Sequence, residues 1–257
     1  MPSGRVGIVL REWRSLRRKS QLQLALEANV SARHLSFIET GRANPSRDMV
    51  LQLATALDVP LRERNQLLAA AGFTAAYTEV DLEAPELAPV RHAVDLLLEK
   101  HEPDPAVVMD RLWNIRRTNE GARHLFSRLI DLRCVPQPAN VLHLIFSPTA
   151  LRPFVENWEE VARGLLARVH REAVCGVMDA ALMALLDDLK TYPEIPTSSP
   201  RAAVTERLLP VIPVRFRKEG FRADYFSTVT TLGTPQDVTA QELRIECFFP
   251  LSSEAQG

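Results

Sequence analysis

The sequence predicts a mainly α-helical protein with an α+β second domain, on three observations. Apolar residues recur at helical spacing in successive segments from residue 6 to residue 71. After residue 105, two β-rich segments precede a helical stretch, and three more β-rich segments follow it. The charge is also uneven, since Met1–Ala76 holds 11 basic and 6 acidic residues and the rest holds 20 and 26. This division is typical of a nucleic-acid-binding head joined to a body with another partner.

The first helix is predicted over residues 6–19, with an apolar stripe on one side and basic residues around it. The stripe consists of Val9, Leu10, Trp13 and Leu16. A second, short helix begins at Gln21, and its apolar side is predicted to consist of Leu22, Leu24, Ala25 and Leu26. Helices over residues 46–57 and 62–71 complete a five-helix head that ends at Gly72.

The third helix of the head follows the second after a tight turn. Asn29 tolerates the left-handed backbone that helix ends often need, and Ser31 can cap the helix that follows. Leu35 and Ile38 are predicted to face inward, and Gly41 ends the helix. Two helices joined in this way predict a helix-turn-helix whose second helix enters the major groove of DNA.

The run from Ser20 to Ser46 resembles the helix-turn-helix of the Cro and phage-repressor (XRE-type) family. The matching residues are Gln21, Leu24-Ala25, Val30-Ser31, Leu35-Ser36, Ile38-Glu39, Gly41 and Pro45-Ser46, followed by Leu53-Ala54 and Leu57. The resemblance implies that Ala32, Arg33 and Phe37 face base edges, Arg33 being suited to guanine. It places five further residues at phosphate contacts: Gln21, His34, Thr40, Arg42 and Asn44. An ordinary helical bundle with a chance turn is the alternative.

The chain is predicted to divide into the head over residues 1–76, a connector and linking helix over 77–104, and a second domain over 105–251. In the second domain, residues 107–109 and 113–115 predict a β-hairpin, and Asn119 predicts a helix cap. Further helices are predicted over 140–146, 155–173 and 179–189, and strands over 212–217, 221–232 and 243–249. A five-stranded antiparallel sheet covered by helices on one side is a PAS-like layout.

Three segments of the second domain, residues 110–126, 140–162 and 226–250, look like the MmyB-like (MltR-like) ligand-binding domain of bacterial transcription regulators. Thr118 departs from that pattern, which often has Trp there. The resemblance implies a regulator that senses a small apolar, fatty-acid-like ligand. The aromatic residues expected around the ligand are Trp113, Phe126, Phe146, Phe154, Trp158 and Phe226. Arg163 is the candidate for meeting an acidic head group.

The sequence predicts neither an enzyme nor a metal site. It has no HExxH motif and no glycine-rich phosphate loop. Cys134, Cys175 and Cys247 lie far apart, which indicates neither zinc nor a disulfide framework. Haem ligation by His124 or His143 is the one cofactor alternative, and no cofactor is expected. Because there is no apolar leader and no long apolar run, we expect a cytoplasmic protein without a membrane partner.

We therefore expect a sequence-specific, ligand-responsive DNA-binding transcription regulator that acts as a homodimer on a double-stranded operator. The alternative is a helix-turn-helix adaptor whose second domain binds a protein partner or only dimerises. A closed apolar cavity in the second domain favours the first interpretation, whereas an exposed apolar patch on the sheet favours the second.

Overall fold

The computed structural model describes residues 3–174, 179–195 and 213–251. Cys175 and Ile212, the first residue of a predicted strand, therefore lie outside the described residues. The described chain forms two compact units. The first holds the residues up to Val80 together with Thr234–Gln241, and the second holds most of the chain from Asp81 onward.

The first unit begins with the five helices that the sequence predicts. They are α1 Ser3–Leu16, α2 Gln21–Glu27, α3 Ala32–Glu39, α4 Arg47–Ala56 and α5 Leu61–Ala70. The local signals hold: Asn29 has φ +51° and Gly41 has φ +72°, while Ser31 and Ser46 cap α3 and α4 with their side chains. Asn29 and Gly41 tolerate the left-handed backbone that follows a helix, and the two serine hydroxyls accept hydrogen bonds from free backbone N–H groups at a helix start.

The core of the first unit differs from the predicted apolar sides in both α1 and α2. Leu24, Leu35 and Ile38 are fully buried, as predicted, but Leu16, the last residue of α1, is 41% exposed, and Leu22 and Leu26 are 61% and 73% exposed. Leu22 and Leu26 each lie two residues from Leu24, which turns them away from the side of α2 that Leu24 and Ala25 bury.

Helix α1 packs very closely on α3 at Gly7. A side-chain carbon at Gly7 would lie 2.2 Å from the carbonyl oxygen of Ile38. Only glycine permits this approach, because every other residue carries that carbon.

The connection Thr234–Gln241 packs within the first unit although it joins two strands of the second. The backbone N–H of Val238 donates to the carbonyl oxygen of Thr78 at 2.8 Å. The Thr239 hydroxyl donates to the carbonyl oxygen of Val80 at 2.7 Å. The Gln241 side-chain oxygen accepts from the backbone N–H of Leu61 at 2.7 Å. This last bond satisfies a donor at the start of α5, where Pro60 provides no side-chain cap.

The second unit is a five-stranded antiparallel sheet with helices. Its strands are β1 Ala106–Met109, β2 Ile115–Thr118, β3 Val214–Lys218, β4 Phe221–Thr230 and β5 Arg244–Pro250, in the order β2-β1-β5-β4-β3. Its helices are α6 Ala88–Lys100, α7 Glu120–Leu129, α8 Val141–Phe146, α9 Trp158–Val174 and α10 Ala180–Leu189. A short helix α11, Val238–Glu242, precedes β5. The architecture confirms the predicted fold class.

The β1–β2 hairpin forms as predicted, but Trp113 is not in a strand. It lies in the turn with φ +67°, and β2 begins two residues later. A positive φ is unusual for a bulky residue and places the indole where an extended strand would not. Trp113 is fully buried in the core of the second unit.

Candidate nucleic-acid interface and ligand cavity

Helix α3 is held with one side buried and the other exposed. The Ser31 hydroxyl accepts from the backbone N–H of His34 at 3.1 Å, and Leu35 and Ile38 are fully buried. Arg33 is exposed, and its guanidinium carbon lies 5.4 Å from the centre of the Phe37 ring. Ala32 is half-buried beside them. The exposed side of α3 thus presents a cation stacked on an aromatic ring, which suits the edge of a base pair.

The residues placed at phosphate contacts differ in how free their side chains are. Thr40, Arg42 and Asn44 are exposed just after α3, and His34 is half-buried. The Thr40 hydroxyl already donates to the carbonyl oxygen of Ser36 at 2.7 Å. Within the described ranges, no side-chain hydrogen bond or ion pair engages Arg42, so its guanidinium remains available to an anion.

Gln21 takes part in a buried ionic network behind α3. Its amide nitrogen donates to Glu39 Oε2 at 2.7 Å, and Arg14 binds the same carboxylate through Nε and Nη2 at 2.7 and 2.9 Å. Burial alone would raise the pKa of Glu39, but these hydrogen bonds outweigh it and hold the pKa below its ordinary value. The network joins α1, α2 and α3, which fixes the orientation of α3.

The second unit contains a cavity of about 290 Å³ between α7–α9 and the sheet. Most of its lining side chains are apolar, among them Val107, Met109, Phe126, Leu144, Val161 and Phe216. The polar side chains on its wall are Arg168 and Arg171 of α9, Ser227 of β4 and Glu246 of β5. A mostly apolar cavity with a few polar groups is the usual form of a small-molecule site.

Three of the polar groups on the wall, those of Arg168, Ser227 and Glu246, form a connected cluster around Arg168. Its Nε donates to Glu172 Oε1 at 3.1 Å, and its Nη1 lies 3.7 Å from Glu246 Oε2. The Ser227 hydroxyl donates to Glu246 Oε1 at 2.6 Å. The Arg168 guanidinium also lies over the Trp113 ring, 4.4 Å from its centre.

Two of the residues predicted to surround a ligand, Trp113 and Phe126, do line this cavity. Phe146, Phe154, Trp158, Phe226 and Arg163 are not on its wall. Phe146 packs against Trp158 in the core at 6.1 Å between ring centres, and the indole N–H of Trp158 donates to the carbonyl oxygen of Ile145. Phe154 lines a different pocket.

The side chains of Phe226 and Arg163 have other partners and lie away from the cavity. Phe226 stacks on Phe249 at 5.2 Å, and its neighbour Ser227 points to the cavity, since successive strand residues face opposite sides. Arg163 is 41% exposed and lies 3.9 Å from Glu159 on the same helix. The structure therefore moves the candidate cation for a head group from Arg163 to Arg168 or Arg171.

The sequence contained a signal for the α9 part of the wall. Val161, Gly164, Leu165 and Arg168 recur at helical spacing and share one side of α9. Glu246 was harder to find, because an acidic residue alternating with apolar ones in β5 is typical of a solvent-facing position.

The two histidines of the haem alternative lie in other surroundings. His124 is exposed, and the two ring nitrogens of His143 lie 3.1 Å from the Tyr192 hydroxyl and 3.4 Å from Asp188. Neither histidine is among the residues on the wall of the cavity between α7–α9 and the sheet. Across the described ranges, no three His, Cys, Asp or Glu residues come together in a way that suits a metal ion. In the same ranges, no helix has the length and apolar character needed to cross a bilayer.

Comparison with known proteins finds two family matches along the chain. Residues 10–64 match a helix-turn-helix family, and residues 90–257 match the MmyB-like transcription regulator ligand binding domain. No curated protein matches. Among solved structures, the chain is similar to the restriction-modification controller protein C.AhdI from Aeromonas hydrophila, at 36% identity and a TM-score of 0.23, over 24% of this chain and 92% of that one. It is also similar to the clp gene regulator ClgR from C. glutamicum, at 25% identity and a TM-score of 0.25, over 28% and 90%.

The two family matches coincide with the two sites described above. The helix-turn-helix match contains α3, and the ligand-binding match contains the whole cavity wall and covers well over half of the chain. The chain therefore belongs to the MmyB-like family of DNA-binding transcription regulators.

Proposed function

We propose that this regulator reads its operator with α3 and that an acyl ligand in the cavity of the second unit changes its affinity for that operator. The cavity carries the proposal. Its walls are mostly apolar, so that a hydrocarbon chain inside gains roughly 25 cal/mol per Å² removed from water. The same cavity favours a ligand sensor over an adaptor that binds only a protein partner.

Base reading in this proposal rests on Arg33 and Phe37, with Ala32 beside them. Their exposed side on α3 has the geometry of a recognition helix. Gln21, His34, Thr40, Arg42 and Asn44 would lie along the phosphates. Gln21 is the exception to direct phosphate binding. Its amide nitrogen donates to Glu39, and the side-chain oxygen that remains can only accept a hydrogen bond, as a phosphate does. We therefore propose that Gln21 holds α2 and α3 in position.

The connection Thr234–Gln241 is our candidate for transmitting ligand binding to the head. Ser227 and Glu246, on the strands at either end of it, line the cavity. Within the first unit, Gln241 binds the start of α5. A ligand changes operator affinity only if it binds two arrangements of the protein unequally. Gln241→Ala is expected to reduce the effect of ligand on operator affinity and to leave ligand affinity unchanged.

We propose that the regulator acts as a homodimer on two half-sites about 34–36 Å apart, one turn of DNA. One α3 helix contacts too few base pairs for high specificity. On α6, Leu96 and Leu97 are 42% and 41% exposed and provide an apolar side for a second copy. Sedimentation of the full chain should show a dimer at micromolar concentration, and a monomer with and without operator would contradict the proposal.

The proposed function is tested with the full chain and an operator selected from random DNA. Operator affinity is measured with and without acyl compounds from octanoyl to myristoyl length. Leu165→Trp fills the cavity and should abolish the ligand effect, because Leu165 lines the wall. Leu166→Trp is the matched control, since Leu166 is a half-buried neighbour that is not on the wall. If no acyl compound changes the operator affinity of the wild type, the sensor function is refuted.

A further inference from the structure

The polar side chains of the cavity wall define what kind of head group an acyl ligand can carry. They are grouped, since Arg168 lies beside Trp113, Glu172 and Glu246, and Ser227 binds Glu246. The rest of the wall is mostly hydrocarbon and aromatic ring. The hydrogen-bonding capacity left over in this cluster therefore decides which head groups fit.

Two carboxylates already face the positive charge of Arg168, and one of them, Glu172, is shared with Arg244, whose Nη2 lies 3.5 Å from Glu172 Oε2. Glu172 accepts from Arg168 Nε at 3.1 Å, and Glu246 lies 3.7 Å from Arg168 Nη1. A ligand carboxylate that approached Arg168 would lie close to Glu246, with 9% of that residue exposed. Two carboxylates with little water between them repel strongly. Glu246 therefore disfavours the anionic head of a free fatty acid at Arg168.

The cluster holds a donor that is both buried and unused, the indole N–H of Trp113. Trp113 lines the cavity and is fully buried, and its indole N–H has no hydrogen-bond partner within the described part of the chain. A buried N–H without a partner is costly and calls for an explanation. Among the described residues the indole N–H of Trp13 is also unpartnered, but Trp13 belongs to the core of the first unit. Trp113 differs because it lines a cavity.

The cluster also retains acceptor capacity at Glu246. Its Oε1 accepts from the Ser227 hydroxyl, while Oε2 is 3.7 Å from Arg168, which is beyond hydrogen-bond distance. An ionised carboxylate offers about four lone-pair positions, so positions remain for a donor on the ligand. Trp113 and Glu246 both adjoin the Arg168 guanidinium, so the unused indole donor and the spare carboxylate acceptor belong to the same part of the wall.

We propose that the ligand is an acyl compound whose head group is neutral and carries both an acceptor and a donor, as a carboxamide does. The carbonyl oxygen of the amide accepts from the indole N–H of Trp113, and its N–H donates to Glu246. This inference rests on the proposed acyl-binding function and specifies the ligand of that same cavity.

The test compares decanamide, decanoate and decylamine, three probes with one chain length and neutral, negative and positive heads. Binding to the full chain, freed of co-purified lipid, is measured by calorimetry near neutral pH. Decanamide is expected to bind at least about tenfold more tightly than either other probe. Glu246→Gln should reduce or reverse the preference for decanamide over decanoate, because it removes the negative charge that repels the carboxylate of decanoate. Glu159→Gln, an exposed change on α9 that also removes one negative charge, should leave the preference unchanged.

Each other result overturns the inference in a distinguishable way. In one such result, decanoate binds the wild type as tightly as decanamide, Glu246→Gln leaves the affinity for decanoate unchanged, and Arg171→Gln lowers it. The ligand carboxylate would then lie at exposed Arg171, and the acyl sensor function would stand. Tightest binding of decylamine would show that Glu246 selects a cation. If none of the probes binds the folded wild type, the acyl-binding function itself fails. Trp113→Phe provides a second measurement, and a folded variant that keeps full decanamide affinity would exclude the indole as donor.

Discussion

Glu39 in the first unit and Glu246 in the second are buried to nearly the same extent, with 7% and 9% of each residue exposed. Their surroundings differ. Glu39 accepts two hydrogen bonds from Arg14 and one from Gln21, all at 2.9 Å or less. Glu246 accepts one from Ser227, and Arg168 stands at 3.7 Å on a cavity wall. A buried carboxylate with its partners in place stabilises a fold, whereas one with spare capacity beside a cavity is suited to a ligand.

The largest effect that we expect is loss of head stability in Glu39→Gln. The change leaves Arg14, whose side chain is 14% exposed, without its carboxylate. Removing one partner of a buried ion pair costs about 3–5 kcal/mol. Amide hydrogen exchange of α1–α3 in the full chain measures this. Glu27→Gln is the control, since Glu27 is an exposed glutamate of the same head paired with Lys19, and such pairs contribute about 0–1 kcal/mol.

The same pair predicts a dependence on pH. Because the pKa of Glu39 is lower in the folded protein than its ordinary value, the ion pair stabilises the head fully above the unfolded pKa of about 4.3. That contribution is lost as the pH falls through the folded pKa. Hydrogen exchange in α1–α3 should accelerate in this acidic range in the wild type and less so in Glu39→Gln. Equal acceleration in both would show that Glu39 is not the group responsible.

A second change tests the close packing of the head. Gly7→Ala would normally stabilise a helix by about 0.5–1 kcal/mol. Here the added carbon would lie 2.2 Å from the carbonyl oxygen of Ile38, and overpacking of this kind costs about 1–3 kcal/mol. Denaturant unfolding should therefore show a net loss. Gly233→Ala is the control, because no atom of the described residues lies within 4 Å of the added carbon there. A gain in stability at Gly7 would contradict the packing.

The comparison of the two units also explains what the sequence could predict. The helices of the head follow from local signals such as the cap Ser31 and the left-handed Asn29, whose effects depend on neighbouring residues. The strands of the second unit follow from residue pattern in the same way.

The cavity wall depends on pairing across the sheet and could not be predicted in that way. Glu246 lies opposite Val107 on β1 and Val229 on β4, and only this arrangement shows that its side faces a cavity. Trp113 reaches the wall because its own backbone is left-handed in the turn, and the sequence pattern of a hairpin does not indicate this. Aromatic residues elsewhere in the domain look the same in sequence whether they fill a core or line a cavity.

Operator binding should separate two arginines on the surface of the head. Arg33→Ala is expected to cost about 1–3 kcal/mol on the selected operator and to relax the base preference at one position. Arg42→Ala should weaken all sequences alike and reduce the slope of log affinity against log salt by about one unit. Anisotropy titrations at several salt concentrations measure both quantities. Equal loss on specific and random DNA for Arg33→Ala would remove its assignment to a base.

The smallest effect is expected for Glu246→Gln on the stability of the ligand-free protein. Glutamine keeps a side-chain oxygen that accepts from Ser227, and Arg168 keeps Glu172 at 3.1 Å. No buried charge loses its last partner, so the free energy of unfolding should change by less than about 1 kcal/mol, well below the loss in Glu39→Gln. Denaturant unfolding of the two variants, with hydrogen exchange in β4 and β5 as the readout for the second unit, measures the difference in the free energy of unfolding. A loss as large as that of Glu39→Gln would mean that Glu246 holds the sheet together, and the contrast between a structural and a ligand-facing carboxylate would disappear.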